Sequence, residues 1–290
     1  MKEKFMNIGS LADNNYAQHL GVTIYSMLKN CSEPKKIRLF IIDGGFSEKN
    51  KNKLDKVAKE FGLKINYIKP DVQMIKGVKI QEKFTIATYY KFCLLESVKT
   101  DKLLYLDSDL VIDRDISEIY NRDLGKNIAL AVEDEDISSK HKIQLGLNKT
   151  DSYFNAGVLM IDMGKWREFK INYNAIKFIR ENPQKVEFSD QDGLNFALRS
   201  KWGKVESSWN SLAKRYYFRS KPINKKLIIH YAGFLKPWNT IDIVPFKSRY
   251  GYYANLTPWR DTRYIDKGFS KVLKRIKECF FFTIKILLRN

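Results

Sequence analysis

Lys102-Leu-Leu-Tyr-Leu-Asp-Ser-Asp-Leu-Val-Ile-Asp-Arg-Asp-Ile116 is the stretch on which the reading of this chain turns. Leu103 to Leu106 form a short apolar run that predicts a buried strand. At its end the chain turns acidic through Asp107, Ser108 and Asp109, and Leu110 to Ile112 then resume the apolar pattern. Carboxylates two residues apart on extended chain point to the same side. They stand at the C-terminal end of a strand, the edge at which open α/β sheets bind ligands. Two hard oxygen donors on one side suit Mg²⁺ or Mn²⁺, with phosphate and water completing the shell. Taken alone, Asp-Ser-Asp reads equally as a turn or helix cap.

Outward from that stretch, apolar runs alternate with helical spacing. Phe5–Ala12 reads as the first strand and Asp13-Asn14-Asn15-Tyr16 as the loop after it. Ala17–Leu28 has helical spacing, and Ile37–Ile42 is a second strand. Ser47 caps a helix that Gly62 stops. Lys64–Ile68 is a third strand, and Thr85–Leu95 a helix leading into the central strand. Ile128–Val132 and Tyr153–Ile161 read as further strands, separated by a polar, mobile-looking stretch from Glu133 to Asp151. Trp166–Arg180 reads as one helix, and Ser189-Asp190-Gln191-Asp192-Gly193 opens another. Leu227–Trp238 is a strand running into a loop that bears Gly233 and Pro237. This alternation predicts an α/β domain with a mostly parallel, doubly wound sheet. Right-handed crossovers would put the Asp13 loop and the Asp107 loop on one edge.

The 290 residues suffice for a full core, and 44% hydrophobic with 13% aromatic content excludes a disordered chain. A net charge of +19 implies an anionic partner: nucleic acid, an anionic membrane or a phosphorylated substrate. Lys and Asn are frequent throughout, which leaves genome composition as a second source of the excess. Cys31, Cys93 and Cys279 lie far apart, fitting neither a disulfide framework nor a zinc site. With no signal-like apolar core and no apolar run near ~20 residues, the expected location is the cytoplasm.

Asp13 and Asn15 read on their own as caps of the following helix, and Lys91, on a helix ahead of the Asp107 strand, as a group that could hold an anion, though most lysines are solvated. His230 is one of three histidines, and a lone histidine in an apolar run is more often structural. Set beside Asp107 and Asp109 it becomes a third ligand whose nitrogen suits Mn²⁺. Lys236 then follows at a spacing that could meet metal-held phosphate.

Together, Asp13-Asn-Asn-Tyr-Ala17, Thr88-Tyr89, Leu104-Tyr-Leu-Asp-Ser-Asp109, Tyr153-Phe-Asn-Ala-Gly-Val158, Asp190-Gln-Asp192 and His230-Tyr-Ala-Gly-Phe-Leu-Lys-Pro-Trp238 resemble, in order, the motifs of glycosyltransferase family 8. The likeness is in particular to its bacterial lipooligosaccharide α-1,4-galactosyltransferases and covers roughly the whole chain. The resemblance implies a GT-A fold and a retaining, metal-dependent hexosyltransferase using a UDP-sugar. It implies Asp107, Asp109 and His230 as ligands of Mn²⁺ (or Mg²⁺), and Ala12, Asp13, Asn15 and Tyr16 around uridine. Ser108 would join the donor contacts, and Gly233 with Lys236 would hold the phosphates. Asn155, Asp190 and Gln191 would face the donor sugar as the catalytic set. Lys91 stands where the galactosyltransferases carry an arginine; lysine keeps the charge without the bidentate fork.

The tail is read separately, giving residues 1–257 as catalytic domain and 258–290 as extension. From Pro258 to Asn290 nine Lys/Arg outweigh three Asp/Glu. Phe269, Val272, Leu273, Ile276, Phe280, Ile284 and Leu287 recur at helical spacing, with Lys271, Lys274, Arg275 and Lys277 on other faces. That pattern fits a helix lying on an anionic inner-membrane surface, with a helix packed on the catalytic domain and a calmodulin-like or nucleic-acid-binding helix as rivals. The resemblance agrees with the membrane through a lipid-linked acceptor. Galactose is favoured over glucose. One rival is a glucosyltransferase extending a protein-linked glycan. The other is a non-catalytic, basic nucleic-acid-binding protein, which would have no need of the Asp107, Asp109 and His230 set. Nucleic-acid binding should collapse with rising salt, whereas UDP binding should follow Mn²⁺.

Overall fold

The computed structural model describes residues 5–81, 85–217, 226–262, 266 and 269–287, with the side chains of 269 and 280–287 outside that description. Ten strands are formed among them: β1 (Met6–Asp13), β2 (Ile37–Gly44), β3 (Ile65–Ile68), β4 (Lys102–Leu106), β5 (Leu110–Ile112), β6 (Ala129–Glu133), β7 (Phe154–Asp162), β8 (Trp202–Lys204), β9 (Ser211–Leu212) and β10 (Ile228–His230). Seven make one sheet in the order β3-β2-β1-β4-β7-β6-β8. β1, β2, β3 and β4 run parallel, β8 runs parallel to β6, and β7 is antiparallel to both β4 and β6. A smaller sheet, β5-β10-β9, stands beyond the end of β4.

β4 reads as a continuous apolar run because helices cover both sheet faces: Leu103, Leu104, Tyr105 and Leu106 are each at most 1% exposed. One face packs on α1 (Ala17–Asn30) and α2 (Glu48–Glu60). The other packs on α3 (Tyr90–Ser97) and, after the short α4 (Ser117–Tyr120) and α5 (Ser139–Gln144), on α6 (Met163–Glu168), α7 (Ile171–Glu181) and α8 (Asp190–Ala197). The Ser47 cap forms as expected, its hydroxyl accepting from the Asn50 N–H at 3.3 Å.

Three local expectations need correcting. The helix read over Trp166–Arg180 is two, α6 and α7, because Lys170 adopts a left-handed conformation (φ 51°) and turns the chain. Hydrophobic spacing continues across the break, so periodicity alone could not reveal it. The helix read over Thr85–Leu95 begins as a 3-10 turn at Ile86–Tyr89 before α3. The stretch from Glu133 to Asp151 is fastened rather than loose. It carries α5, whose His141 Nε2 lies 2.8 Å from the buried Asp192 carboxylate, and Tyr153 donates to the same oxygen at 2.5 Å.

After β10 the chain forms α9 (Lys247–Asn255) and α10 (Phe269–Leu287). Two described residues beyond 257 pack on the domain: Trp259 is 4% exposed against α1, and Asp266 accepts from the Thr240 N–H and hydroxyl, each at 2.7 Å. A Cβ on Gly21 of α1 would lie 2.4 Å from the Trp259 ring. Gly21→Ala is therefore expected to destabilise the protein by about 1–3 kcal/mol, the usual cost of overpacking, read as a lower urea midpoint. An unchanged midpoint would mean that Trp259 is not held there.

Candidate active site

The acidic turn after β4 is bent onto itself by β5, which pairs antiparallel with β10 so that His230 stands opposite Leu110. The Tyr231 N–H continues the pairing to the Asp109 carbonyl at 3.1 Å. Asp107, Asp109 and His230, up to 123 residues apart in the chain, thereby present ligand atoms all within 4.8 Å of one another. His230 Nε2 lies 3.2 Å from Asp109 Oδ1 and 3.8 Å from Asp107 Oδ2.

The next layer of contacts fixes this arrangement. His230 Nδ1 is 3.0 Å from Asn210 Oδ1, while Asn210 Nδ2 donates to Asn155 Oδ1 at 2.8 Å. Because that amide gives its N–H to Asn155, its carbonyl faces the histidine. His230 therefore donates from Nδ1 and turns the Nε2 lone pair toward the carboxylates, as metal-binding histidines do. Tyr105 donates to Asp107 Oδ1 at 2.6 Å. Gly157 leaves the space these groups occupy: a Cβ there would fall 2.4 Å from His230 Cε1 and 2.9 Å from Asp107 Oδ2. Two carboxylates and an imidazole lone pair, converging in a hollow that only glycine permits, fit a divalent cation of Mn²⁺ or Mg²⁺ type.

Positive charge surrounds the cluster. Lys236 Nζ donates to Asp109 Oδ2 at 2.8 Å and to the Tyr231 carbonyl at 2.7 Å. Burial alone would raise the Asp109 carboxyl, but the Lys236 ammonium leads the contacts that hold it well below the usual carboxylate range. Lys91, for which the sequence leaves solvation and an anion contact both open, is 3% exposed. Its ammonium donates to Asp190 Oδ2 at 2.5 Å and to the Ala156 carbonyl at 3.0 Å, with Asp107 Oδ1 at 3.7 Å. Burial works against its charge, yet Asp107 and Asp190 keep the ammonium pKa above its ordinary value.

Asp190 and Gln191 open α8, after Ser189 in a strained conformation (φ 51°, ψ −120°). Gln191 Oε1 accepts from the Ala156 N–H at 3.1 Å, and Asn155 Oδ1 accepts from the Gly157 N–H at 3.0 Å. Asn155, Asp190 and Gln191 thus converge beside the metal-type cluster.

At the other end, Ala12 is buried in β1, parallel to and next to β4, which puts the following loop on the same sheet edge as Asp107. Asp13 does not cap α1. Its Oδ1 accepts from the N–H groups of Asn15 (2.9 Å) and Tyr16 (3.0 Å), making an Asx turn. Tyr16 lies edge-on to Trp238 and His19 at 5.7 and 5.2 Å, and His19 stacks on Trp238 at 3.5 Å. Burial drives the His19 pKa down to about 3, so this ring is neutral. Asn15 is exposed, and Ser108 is half-buried with its carbonyl accepting from Thr23 at 3.0 Å. Gly233 is exposed, and its φ of +108° explains glycine in the loop leading to Lys236.

Sequence reasoning missed Asn210, Tyr105, the spacer role of Gly157, and Asp134. Asp134 is 5% exposed, with Oδ2 3.5 Å from both Asn155 Nδ2 and Gln191 Nε2 and Oδ1 3.0 Å from Arg215. Nothing in the local pattern distinguishes these residues from ordinary loop and strand positions.

The description "Glycosyl transferase family 8" belongs to the family model that matches residues 7–242. Among similar proteins, General stress protein A of Bacillus subtilis is 30% identical over 89% of this chain and 96% of its own length. Lipopolysaccharide 1,3-galactosyltransferase of Salmonella typhimurium is 28% identical over 89% of this chain and 80% of its own length. The galactosyltransferase LgtC, solved with donor and acceptor sugar analogues, superposes with a TM-score of 0.79 at 26% identity, covering 89% of this chain and all of that one. The expected GT-A architecture is thereby met.

Gly157→Ala is expected to weaken Mn²⁺ binding about 10–100-fold, as displaced supporting contacts at metal sites do, with the far-UV spectrum retained. Undiminished Mn²⁺ affinity by calorimetry would remove these three side chains from the metal site.

Proposed function

This chain belongs to glycosyl transferase family 8, and from that premise we propose that it transfers a hexose, galactose in preference to glucose, from a UDP-sugar to a saccharide acceptor with retention at the anomeric carbon. The observation carrying this reading is the Asp107, Asp109 and His230 cluster with Lys236 against it. Divalent metal, Mn²⁺ by preference, would supply charge stabilisation for the departing diphosphate there. Lys236 adds an ammonium for the same phosphate oxygens. Ala12, Asp13, Asn15 and Tyr16 would hold the uridine, with Ser108 and Gly233 along the diphosphate.

On the sugar side, Asp190 Oδ2 is engaged by Lys91, and Gln191 Oε1 by a backbone N–H. Those engagements favour attack by the acceptor on the face the leaving group vacates over a covalent intermediate. The departing phosphate would take the acceptor's proton, while Asn155, Asp190 and Gln191 orient the hexose. Lys91 holds Asp190 pointed inward, against the burial that raises the pKa of that carboxyl. The acceptor would enter by the polar hollow of about 360 Å³ that Glu133, Lys204, Asn210, Ser211, Arg215 and Tyr216 help to line, a size suited to a small saccharide.

A lipid-linked, lipopolysaccharide-type acceptor at the cytoplasmic face of the membrane is the reading we favour. The names of similar enzymes support it. Cys31, Cys93 and Cys279 form no disulfide among the described residues, which fits a reducing compartment. No helix among the described residues is long and apolar enough to cross a membrane. The extension 258–290 would instead lie on the anionic surface, using the exposed Leu273, Lys274, Ile276 and Lys277 of α10. Phe280, Ile284 and Leu287, which complete the apolar spacing, lie outside the described side chains, as does Phe269.

UDP release should be measured from UDP-galactose and UDP-glucose, each with Mn²⁺ and with EDTA. Metal-dependent release, faster from UDP-galactose and abolished in a folded Asp109→Asn variant, is the expected result. Release indifferent to EDTA, or retained in that variant, would refute the metal reading. Replacing Lys274 and Lys277 by Gln should weaken binding to anionic vesicles about thirtyfold, at about 1 kcal/mol per charge. Unchanged vesicle affinity would sink the surface-anchor reading.

A further inference from the structure

Arg275 was grouped by its sequence with the basic residues of the tail, yet it faces the protein. Along the described part of α10, Val272, Arg275, Glu278 and Cys279 are half-buried, whereas Ser270, Lys271, Leu273, Lys274, Ile276 and Lys277 are exposed. The Arg275 guanidinium grips the Asp242 carboxylate with both arms, Nε to Oδ1 at 2.9 Å and NH2 to Oδ2 at 2.6 Å. It also donates to the Phe234 carbonyl at 2.9 Å and lies 4.2 Å over the Phe234 ring.

Asp242 has a fully buried side chain; Cys279 Sγ of α10 also donates to its Oδ1 at 3.8 Å, and its remaining side-chain contacts belong to the loop that carries Lys236. Oδ2 accepts from the backbone N–H of Lys236 at 2.8 Å and from Asn239 Nδ2 at 2.9 Å. Arg275 therefore holds both ends of the segment 234–242, at the Phe234 carbonyl and at Asp242, with Lys236 between them. Lys236 itself reaches from that segment to Asp109.

Without Arg275, a buried carboxylate loses its charged partner. Such a group relaxes by moving toward water, and here that movement draws the Lys236 backbone with it. Lys236 would lose its aim at the phosphates before the uridine contacts on the β1 loop were affected.

We propose that Arg275 is a positioning residue for the active site: α10 locks the 234–242 loop through Asp242 and so sets the place of Lys236. The proposal rests on the reading of Lys236 as a diphosphate ligand. It makes the inner face of the tail helix part of the donor site, while the outer face stays free for a surface.

The test compares full-length wild type, Arg275→Ala and Arg275→Lys for binding of UDP with Mn²⁺, binding of uridine, and steady-state turnover of the donor. Arg275→Ala should bind UDP about tenfold more weakly with uridine affinity unchanged, raising KM for the donor more than it lowers kcat. Arg275→Lys, which keeps the charge without the fork, should recover part of the loss. Backbone hydrogen exchange over 234–242 in the nucleotide-free protein should accelerate in Arg275→Ala. Equal UDP affinity in wild type and Arg275→Ala, or parallel losses of UDP and uridine affinity, would overturn the proposal. If wild type bound no UDP at all, the functional reading itself would fail, an outcome separate from a wild type that binds and a variant that binds as well.

Discussion

Three residues of antiparallel pairing, Leu110–Ile112 against Ile228–His230, carry the site. β4 delivers two carboxylates to the sheet edge, but carboxylates alone do not choose a partner. The β5–β10 ladder brings an imidazole from far along the chain to within 3.2 Å of Asp109. Because backbone hydrogen bonds set this register, a slip of one residue would turn His230 to the opposite side of the strand.

Around that ladder the protein balances charge at short range. Asp107, Asp109, Asp190 and Asp242 are each met by a buried or half-buried cation, respectively Lys91 (3.7 Å), Lys236, Lys91 again and Arg275. A buried ion pair adds little net stability, since desolvation offsets most of the attraction, but breaking one is costly. Such pairs act here as geometric fasteners. Two of them end on the residues assigned to the diphosphate and the sugar, Lys236 and Asp190. The long-range +19 charge seen in the sequence therefore has local components with separate jobs, and Arg275 shows that a basic residue in a basic tail need not serve the surface at all.

Much of the fold was legible because its signals are local. β4 is apolar at four successive positions since both faces are covered, and Ser47 is a cap whose hydroxyl does accept from Asn50. The Asp107 and Asp109 pair could be found from its place at the end of an apolar strand, although the chain bends through Ser108 and Asp109. The β5–β10 pairing, rather than extended-chain alternation, brings the pair to His230. Lys170 was not legible: a left-handed position is ordinarily marked by glycine or asparagine, lysine gives no such mark, and its neighbours keep helical spacing. Asp13 was half legible, as a short acceptor near a helix start that proved to fold the turn before the helix.

What the sequence by itself determined was the α/β alternation, the strand-end carboxylates and, through the order of its motifs, the family. Those depend on spacing within a dozen residues, where backbone geometry fixes which way a side chain points. Tertiary structure decided which nitrogen of His230 faces the carboxylates, that Lys91 is buried against Asp190, and that Arg275 turns inward to Asp242. Each of these depends on groups brought together by sheet pairing or helix docking. The free energy of a charge or a lone pair is set by its neighbours in space, and a linear spacing does not contain them.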